Sequence, residues 1–222
     1  MAKDQYPKTN KNPEKHLESD EFIFGAVTHV KPFKKIESRI VVLDYLPEGK
    51  GFGQTKQREP IIQGIGVKWF TLLEVAVDRK GKYSKFTELE LLQTSESSHI
   101  KQVKRRISVN DLTNTGYEAL EEAVILIINK NEKRFVSFFN KSQPITNRIH
   151  SLQLIPGIGK KLMWEILAAR KAMPFVSFTD IEERVKISDI RKMIFNRIMQ
   201  ELEEDEKHRL FTASPDSGQK KY

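Results

Sequence analysis

Hydrophobic and polar positions follow two different periods along this chain, and the change comes near residue 110. Before it, short runs of β-branched and aromatic residues alternate with segments rich in Gly, Pro and Lys, which is typical of β-strands. After it, apolar residues recur at helical spacing, as at Leu120, Val124 and Ile128. The pattern predicts an α+β protein in which a β-domain precedes a helical region.

The β-domain is predicted over residues 20–109. Its strand candidates are 40–46, 61–77, 86–92 and 103–109, after a short apolar run at 22–24. The long candidate is expected to break or bend at Gly64 and Gly66. Four or five short strands over about 90 residues favour a small, curled, OB-like β-barrel.

Basic and aromatic residues in this domain are candidates for contacts with nucleic acid. The basic candidates are Lys50, Lys56 and Arg58 in the loop 47–60, and Lys104, Arg105 and Arg106 on the last strand. The aromatic candidates for base stacking are Trp69 and Phe70, with Tyr45 and Tyr83 as further choices. Alternation along a strand places at most two of residues 104–106 on one face and makes each aromatic residue a core candidate as well.

A helical linker is predicted over residues 110–143. Asp111 or Thr113 is positioned to cap a helix that continues to about residue 128. A second, short helix follows, with Phe135, Phe138 and Phe139 on one side. These three rings are predicted to belong to the core.

The most informative stretch is the turn inside a predicted helix-hairpin-helix domain at 144–211. A first helix opening at 144–146 would end at Pro156, which cannot continue it. The turn then contains Gly157, Ile158, Gly159, Lys160 and Lys161 before a helix that reaches about residue 171. Glycines allow close backbone approach, and the first amides of the new helix lack internal partners. Together with the lysines they predict a phosphate site, although such a turn can also serve only to pack helices or to contact protein.

A second helix pair completes this domain. Ser177 or Thr179 is predicted to cap its first helix, and Ile190, Ile194 and Ile198 form a stripe on its last helix. The turn at 186–189 lacks glycines, so we interpret this pair as a degenerate partner that supports the first hairpin. The acidic end at 201–206 is unfavourable for the helix dipole and is expected to fray.

Composition narrows the class of function. The 222 residues carry a net charge of +8 with a pI near 9.5, which favours nucleic acid or another acidic partner. There is no cysteine, so disulfides and thiolate sites are excluded. No apolar run approaches a membrane span, and the first residues lack the apolar core of a secretion signal. Residues 1–19 are predicted to be a disordered basic tail and 212–222 a flexible tail.

Signs of catalysis are weak. The five histidines are scattered, and no phosphate-binding Walker loop or nucleophilic triad is present. Lys161 and Asp180 lie 19 residues apart, which is similar to the lysine and aspartate of helix-hairpin-helix glycosylases. Asp180, however, is expected in the first turn of a helix, where acidic residues are common. We therefore expect no catalytic residue, no metal and no cofactor.

Over residues 40–211 the chain resembles an archaeal family of uncharacterised proteins, domain of unknown function 655. The resemblance is carried by the stretches 42–49, 69–74, 103–108, 138–140, 144–161 and 174–185. It implies an OB-like domain, a helical link and a tandem helix-hairpin-helix. Members of this family are often labelled RNA-binding proteins, but the resemblance brings no established activity.

These observations favour a non-catalytic nucleic-acid-binding protein of the archaeal cytoplasm. Its partner is predicted to be RNA rather than DNA, either ribosomal or transfer RNA, and no membrane is expected. The preference for RNA rests on the family label and the OB-like prediction. Two alternatives remain open: an adaptor that binds ribosomal or transcription proteins, and, with less support, an enzyme of the DNA-repair type.

Overall fold

The structure is a computed structural model that describes residues 37–49, 59–91 and 99–213. The strands are β1 (Arg39–Leu46), β2 (Ile61–Gly66), β3 (Leu72–Val77), β4 (Glu88–Glu90) and β5 (Ile100–Arg106). The helices are α1 (Asn114–Lys130), α2 (Glu132–Lys141), α3 (Lys160–Ala172), α4 (Phe178–Val185) and α5 (Ile190–Glu203). Short 3-10 helices lie at Val109–Asp111 and Ser151–Leu154. The predicted tail at 1–19 lies outside the described residues.

The five strands form one curled antiparallel sheet, a half-barrel with the order β4-β1-β2-β3-β5. β1 pairs with both β2 and β4, and its register with β2 shifts between Val42 and Asp44. β5 pairs with β3 across two further register shifts. Such irregularities bend a strand and increase its twist. The prediction of an α+β protein is confirmed.

The long strand candidate at 61–77 breaks after Gly66, one of the two glycines where a break or bend was expected, and the chain turns back there to form the hairpin of β2 and β3. The buried carboxylate of Glu37 holds the turn by accepting the backbone N–H of Lys68 at 3.0 Å and of Trp69 at 2.8 Å. Gly66 permits this approach, since a Cβ there would lie 2.0 Å from the Glu37 side chain. The glycines indicated a break, but sequence pattern alone could not show what holds the turn, because its acceptor comes from more than 30 residues earlier in the chain.

The sheet and the helices share one hydrophobic core. On one face of the sheet, side chains such as Val41, Leu43 and Ile65 belong to the same buried cluster as residues of α1, α2, α4 and α5. The other face buries a smaller cluster of its own, which consists of Ile40, Val42, Ile62, Leu73, Val75 and Val77. The regions predicted as β-domain and helical region therefore pack against each other directly.

Aromatic rings connect the parts of this core. The ring of Phe135 on α2 lies 6.5 Å from that of Phe70, 6.4 Å from Phe178 and 5.4 Å from Phe211, centroid to centroid. All four side chains are buried. The prediction that Phe135, Phe138 and Phe139 belong to the core is therefore confirmed.

The start of α1 is fixed to the sheet by polar contacts. The Thr113 hydroxyl accepts the N–H of Gly116 at 2.9 Å, as a helix cap does, and donates to Asp44 at 2.6 Å. The backbone N–H of Thr113 donates to the buried Gln63 side chain at 2.8 Å. Gln63 in turn donates to Glu74 at 3.2 Å. Of the two predicted caps for this helix, Thr113 is the one used.

The first helix of the predicted hairpin unit does not open at 144–146. Thr146 instead accepts the N–H groups of Arg148 and Ile149 through its hydroxyl, and Ile145 donates to the Ile149 carbonyl at 2.8 Å. These local bonds compete with a helix. Only the four-residue 3-10 helix Ser151–Leu154 precedes the turn.

The acidic end of α5 is held rather than frayed, so that prediction was wrong. Glu201 is fully buried, and its carboxylate accepts Arg197 at 2.8 Å together with the N–H groups of Leu210, Phe211 and Thr212. The segment after the helix therefore folds back onto Glu201. Among the residues that the structure describes, no helix combines the length and apolar character needed to cross a bilayer.

Glu201→Gln is expected to destabilise the protein by about 3–5 kcal/mol, because it leaves Arg197 without its buried partner and turns an amide toward backbone donors. Glu203→Gln changes an exposed side chain on the same helix and should alter the free energy of unfolding by less than about 0.5 kcal/mol. Urea denaturation of both variants measures the difference. Equal stabilities would contradict the assigned role of Glu201.

Candidate nucleic-acid interface

The hairpin turn joins the 3-10 helix to α3 in five residues. Ile155 and Ile158 are buried, and the Ile158 N–H donates to the Ile155 carbonyl at 3.0 Å. Gly157 has a φ of +92°, a backbone conformation that side chains disfavour. Gly159 is extended and precedes the first residue of α3, Lys160. The two isoleucines anchor the turn and leave its glycines at the surface.

The backbone amides at the start of α3 face solvent. No side chain caps this helix, and no hydrogen bond in the described part of the chain uses the N–H groups of Gly159, Lys160 or Lys161. A Cβ at Gly159 would meet nothing within 4 Å. Such amides lie at the positive end of the helix dipole and can donate hydrogen bonds to an anion.

The side chains of Lys160 and Lys161 lie next to these amides in the first turn of α3. Lys160 is exposed, and the Lys161 side chain is 94% exposed with the Glu165 carboxylate 4.0 Å away. An exposed pair at that distance is weak, so Lys161 keeps its charge available to a partner. The structure thus brings together all five residues of the predicted phosphate site, 157–161.

The second turn, at 186–189, differs from the first in how the amides at the start of the following helix are bonded. The amide of Ile190 is taken by the Glu182 carboxylate at 2.9 Å, and that of Lys192 by Asp189 at 2.9 Å. Met193 on the same helix lies against the first turn, 3.1 Å from where a Cβ of Gly157 would be. The carboxylates of Glu182 and Asp189 thus accept amides at the start of α5, whereas the amides at the start of α3 stay open. The helix α5 also packs against the first turn through Met193.

Trp164 was missed as a candidate by the sequence interpretation. The helix α3 buries Met163 and Ile166 and leaves Trp164 59% exposed. It follows Lys160 by four positions and Lys161 by three, so it shares their side of the helix. The helical period gives the signal that could have found it, because Trp164 is out of phase with the two buried positions.

The aromatic candidates of the sheet are less accessible. Phe70 is fully buried in the shared core, so its assignment to a stacking surface was wrong. Phe70 has a φ of +51° at the β2–β3 turn, a conformation that no strand pattern predicts. Trp69 is half-buried, with the Lys68 ammonium 5.8 Å from its ring centroid. Tyr45 and Tyr83 pack on each other at 5.0 Å.

Two of the three basic candidates of β5, Lys104 and Arg105, are exposed and paired with carboxylates. Lys104 forms an ion pair with Glu59, and Arg105 donates to Glu74 at 2.8 Å. Arg106 is half-buried at the end of the strand. These pairs weaken the positive field of β5 relative to that expected from its sequence. Lys50, Lys56 and Arg58 lie outside the described residues.

Asp180, the residue of the glycosylase comparison, has a local role. It accepts the N–H of Val176 at 3.0 Å and pairs with Arg184 at 3.2 Å, one turn along α4. Ser177 caps the same helix by accepting the Asp180 N–H at 3.0 Å, which decides between the two predicted caps. Within 37–49, 59–91 and 99–213, no cluster of acidic or histidine residues is suited to a metal ion.

His150 stabilises the 3-10 helix that precedes the turn. It is buried, and its Nδ1 accepts the N–H of Leu152 at 3.1 Å, which caps the 3-10 helix. Burial lowers the pKa of His150, and the nearby Arg170 charge lowers it further. Both effects keep the imidazole neutral and its Nδ1 able to accept.

Comparisons with known proteins identify the family. The model of the family described as "Protein of unknown function (DUF655)" matches residues 36–213. The chain belongs to the DUF655 family. The chain is 38% identical over 178 residues to the uncharacterized protein MJ0038 of Methanocaldococcus jannaschii, covering 80% of each chain. It is also similar to the crystal structure of the DUF655 protein Af1531 from Archaeoglobus fulgidus, with 38% identity and a TM-score of 0.70. That match covers 80% of this chain and all of the other.

The two glycines of the turn should respond differently to alanine. Gly157→Ala is expected to destabilise the DUF655 protein by about 1–3 kcal/mol, since φ is positive there. Gly159→Ala, with a φ of −78° and open space around it, should cost less than about 1 kcal/mol, the effect of a poorer cap. Thermal unfolding of the two variants gives the order. A larger effect at Gly159 would contradict the turn geometry.

Proposed function

We propose that this DUF655 protein is a non-catalytic nucleic-acid-binding protein that grips the phosphate backbone at residues 157–161. The observation that carries the proposal is a helix start whose amides are open to solvent, next to two exposed lysines. The same site lacks an acidic cap of the kind that occupies the turn before α5. Phosphate oxygens match both the amide donors and the ammonium charges.

RNA is the favoured ligand in this proposal, and the cytoplasm its compartment. Trp164 supports the choice, because an exposed ring one turn from the lysines offers a stacking surface for an unpaired base. Unpaired bases are abundant in the loops of structured RNAs such as ribosomal and transfer RNA. In this proposal the sheet is an open OB-like domain and the helices form a tandem helix-hairpin-helix. Lys104, Arg105 and Trp69 belong to a secondary binding surface.

A protein–protein adaptor is the second candidate. It is favoured by apolar side chains that remain exposed at and beyond the end of α3. Met173 is 57% and Val176 77% exposed, on the segment that follows the helix carrying Trp164. Apolar exposure of this kind can mark a contact with another protein. Binding that depends on these residues and not on the lysines would favour this candidate.

Charge reversal of the turn tests the leading proposal. Lys160→Glu with Lys161→Glu should weaken binding to RNA at least roughly tenfold, or about 1.4 kcal/mol, and should reduce the salt dependence by roughly one unit of slope per lysine. Filter binding at several salt concentrations measures both quantities. The matched control is Lys82→Glu with Lys85→Glu, which changes the net charge equally at two exposed loop positions. Equal losses in the two double variants would mean that only net charge matters.

Trp164 separates single-stranded from duplex ligands. Trp164→Ala should weaken binding to single-stranded RNA by about 1–3 kcal/mol, the usual contribution of a stacked base, and leave duplex binding nearly unchanged. In a Trp69→Phe background, Trp164 is the only tryptophan, and its fluorescence should be quenched by single-stranded RNA. Trp164→Phe should retain part of the affinity. Unchanged fluorescence at saturation would refute stacking on this ring.

A further inference from the structure

A cavity of about 420 Å³ lies between the sheet and the start of α2, away in sequence from the hairpin turn. Ser38 and Arg39 line it from the start of β1, and Val67 and Lys68 line it from the β2–β3 turn. The remaining lining residues come from Asn131 and the first two turns of α2. Its volume is within the range of small-ligand sites, roughly 300–1,000 Å³.

The lining is strongly cationic. It contains Arg39, Lys68, Lys133 and Arg134, and no lining residue within the described part of the chain is acidic. Four like charges around one cavity repel one another, and the repulsion is relieved when an anion enters. The hydroxyls of Ser38 and Ser137 add neutral donors to the same lining.

The carboxylates of Glu37 and Glu88 contact residues of the cavity wall but do not line the cavity themselves. Glu88 pairs with Arg39 and lies 3.6 Å from the Lys130 ammonium. Glu37 is buried, and its oxygens accept three backbone N–H groups of the β2–β3 turn. Arg39 is therefore partly neutralised, whereas exposed Lys133 has no carboxylate within ion-pair distance in the described structure.

Arg134 is a fixed part of the wall. Its guanidinium donates to the carbonyl of Val67 at 3.1 Å and of Phe211 at 3.4 Å. It also lies 5.5 Å from the ring centroid of Phe70 and 5.2 Å from that of Phe135. Burial lowers the pKa of Arg134 to about 10, and the Glu37 charge opposes this shift. The group remains a cation at neutral pH and is held in place before any ligand arrives.

We propose that this cavity is a binding site for a phosphoryl group, carried by a free nucleotide or by the end of a nucleic-acid strand. The lysines and arginines provide the charge, and the serines provide directed hydrogen bonds. The cavity and the hairpin turn are separate sites, so a negative result at the cavity does not contradict the proposed function.

Isothermal titration with inorganic phosphate, at constant ionic strength in chloride, is the direct test on the full chain. Saturable binding is expected for the unaltered protein, with the cavity as one phosphate site besides any binding at the hairpin turn. Lys68→Ala with Lys133→Ala should weaken it at least roughly tenfold, since two of four cations are removed. Both residues are exposed, so the fold should persist, and a thermal scan verifies this. The matched control is Lys82→Ala with Lys85→Ala, which should bind like the unaltered protein.

A Lys160→Glu and Lys161→Glu variant separates the cavity from the hairpin. Phosphate binding that survives in this variant supports the cavity, whereas its loss there assigns the phosphate to the hairpin and overturns the proposal. Absence of saturable binding, or equal binding by the Lys68 and Lys133 double variant, also overturns it.

The source of the phosphoryl group is decided with two further ligands. Adenosine 5′-phosphate reports a free nucleotide, and a pair of short RNAs with a 5′-phosphate or a 5′-hydroxyl reports a strand end. A gain from the 5′-phosphate that disappears in the Lys68 and Lys133 double variant identifies the strand end. Tight binding of the mononucleotide with no such gain identifies the free nucleotide.

Discussion

The packing of Phe135 against three other rings is the contact on which the arrangement of this protein depends. Its partners come from the β2–β3 turn, from α4 and from the segment after α5, so one side chain on α2 joins the sheet to two later parts of the helical region. Buried aromatic pairs contribute area and a preferred geometry together. Because these elements share one core, the turn before α3 and the cavity beside α2 are built on a common framework.

Buried charged groups position the segments that the hydrophobic core leaves undetermined. Glu37 fixes the β2–β3 turn, Glu201 gathers the chain after α5, and Arg134 connects both regions through the carbonyls of Val67 and Phe211. Each is largely satisfied by backbone groups. A buried charge with several such partners specifies one arrangement of the chain, because any other would leave donors or acceptors without water or protein.

The two helical turns of the C-terminal region show how small differences separate a supporting turn from a candidate site. Both turns precede helices, but Glu182 and Asp189 occupy the amides of the second. Gly159 and two lysines leave the first open. The open helix start and the cationic cavity are two separate positively charged features of a basic protein, and each carries one of the two proposals of a phosphate ligand.

The sequence by itself determined what depends on neighbours within a few residues. The helical periods, the Pro156–Gly157 turn and the family could all be read from local pattern, because helix and turn propensities are local. The tertiary structure alone decided the rest. The geometry of the turn after Gly66 depends on Glu37, and the order after α5 depends on the burial of Glu201. The exposure of Phe70 and Trp164 depends on which face of each element meets the core. These outcomes arise from contacts between distant segments, which no local pattern encodes.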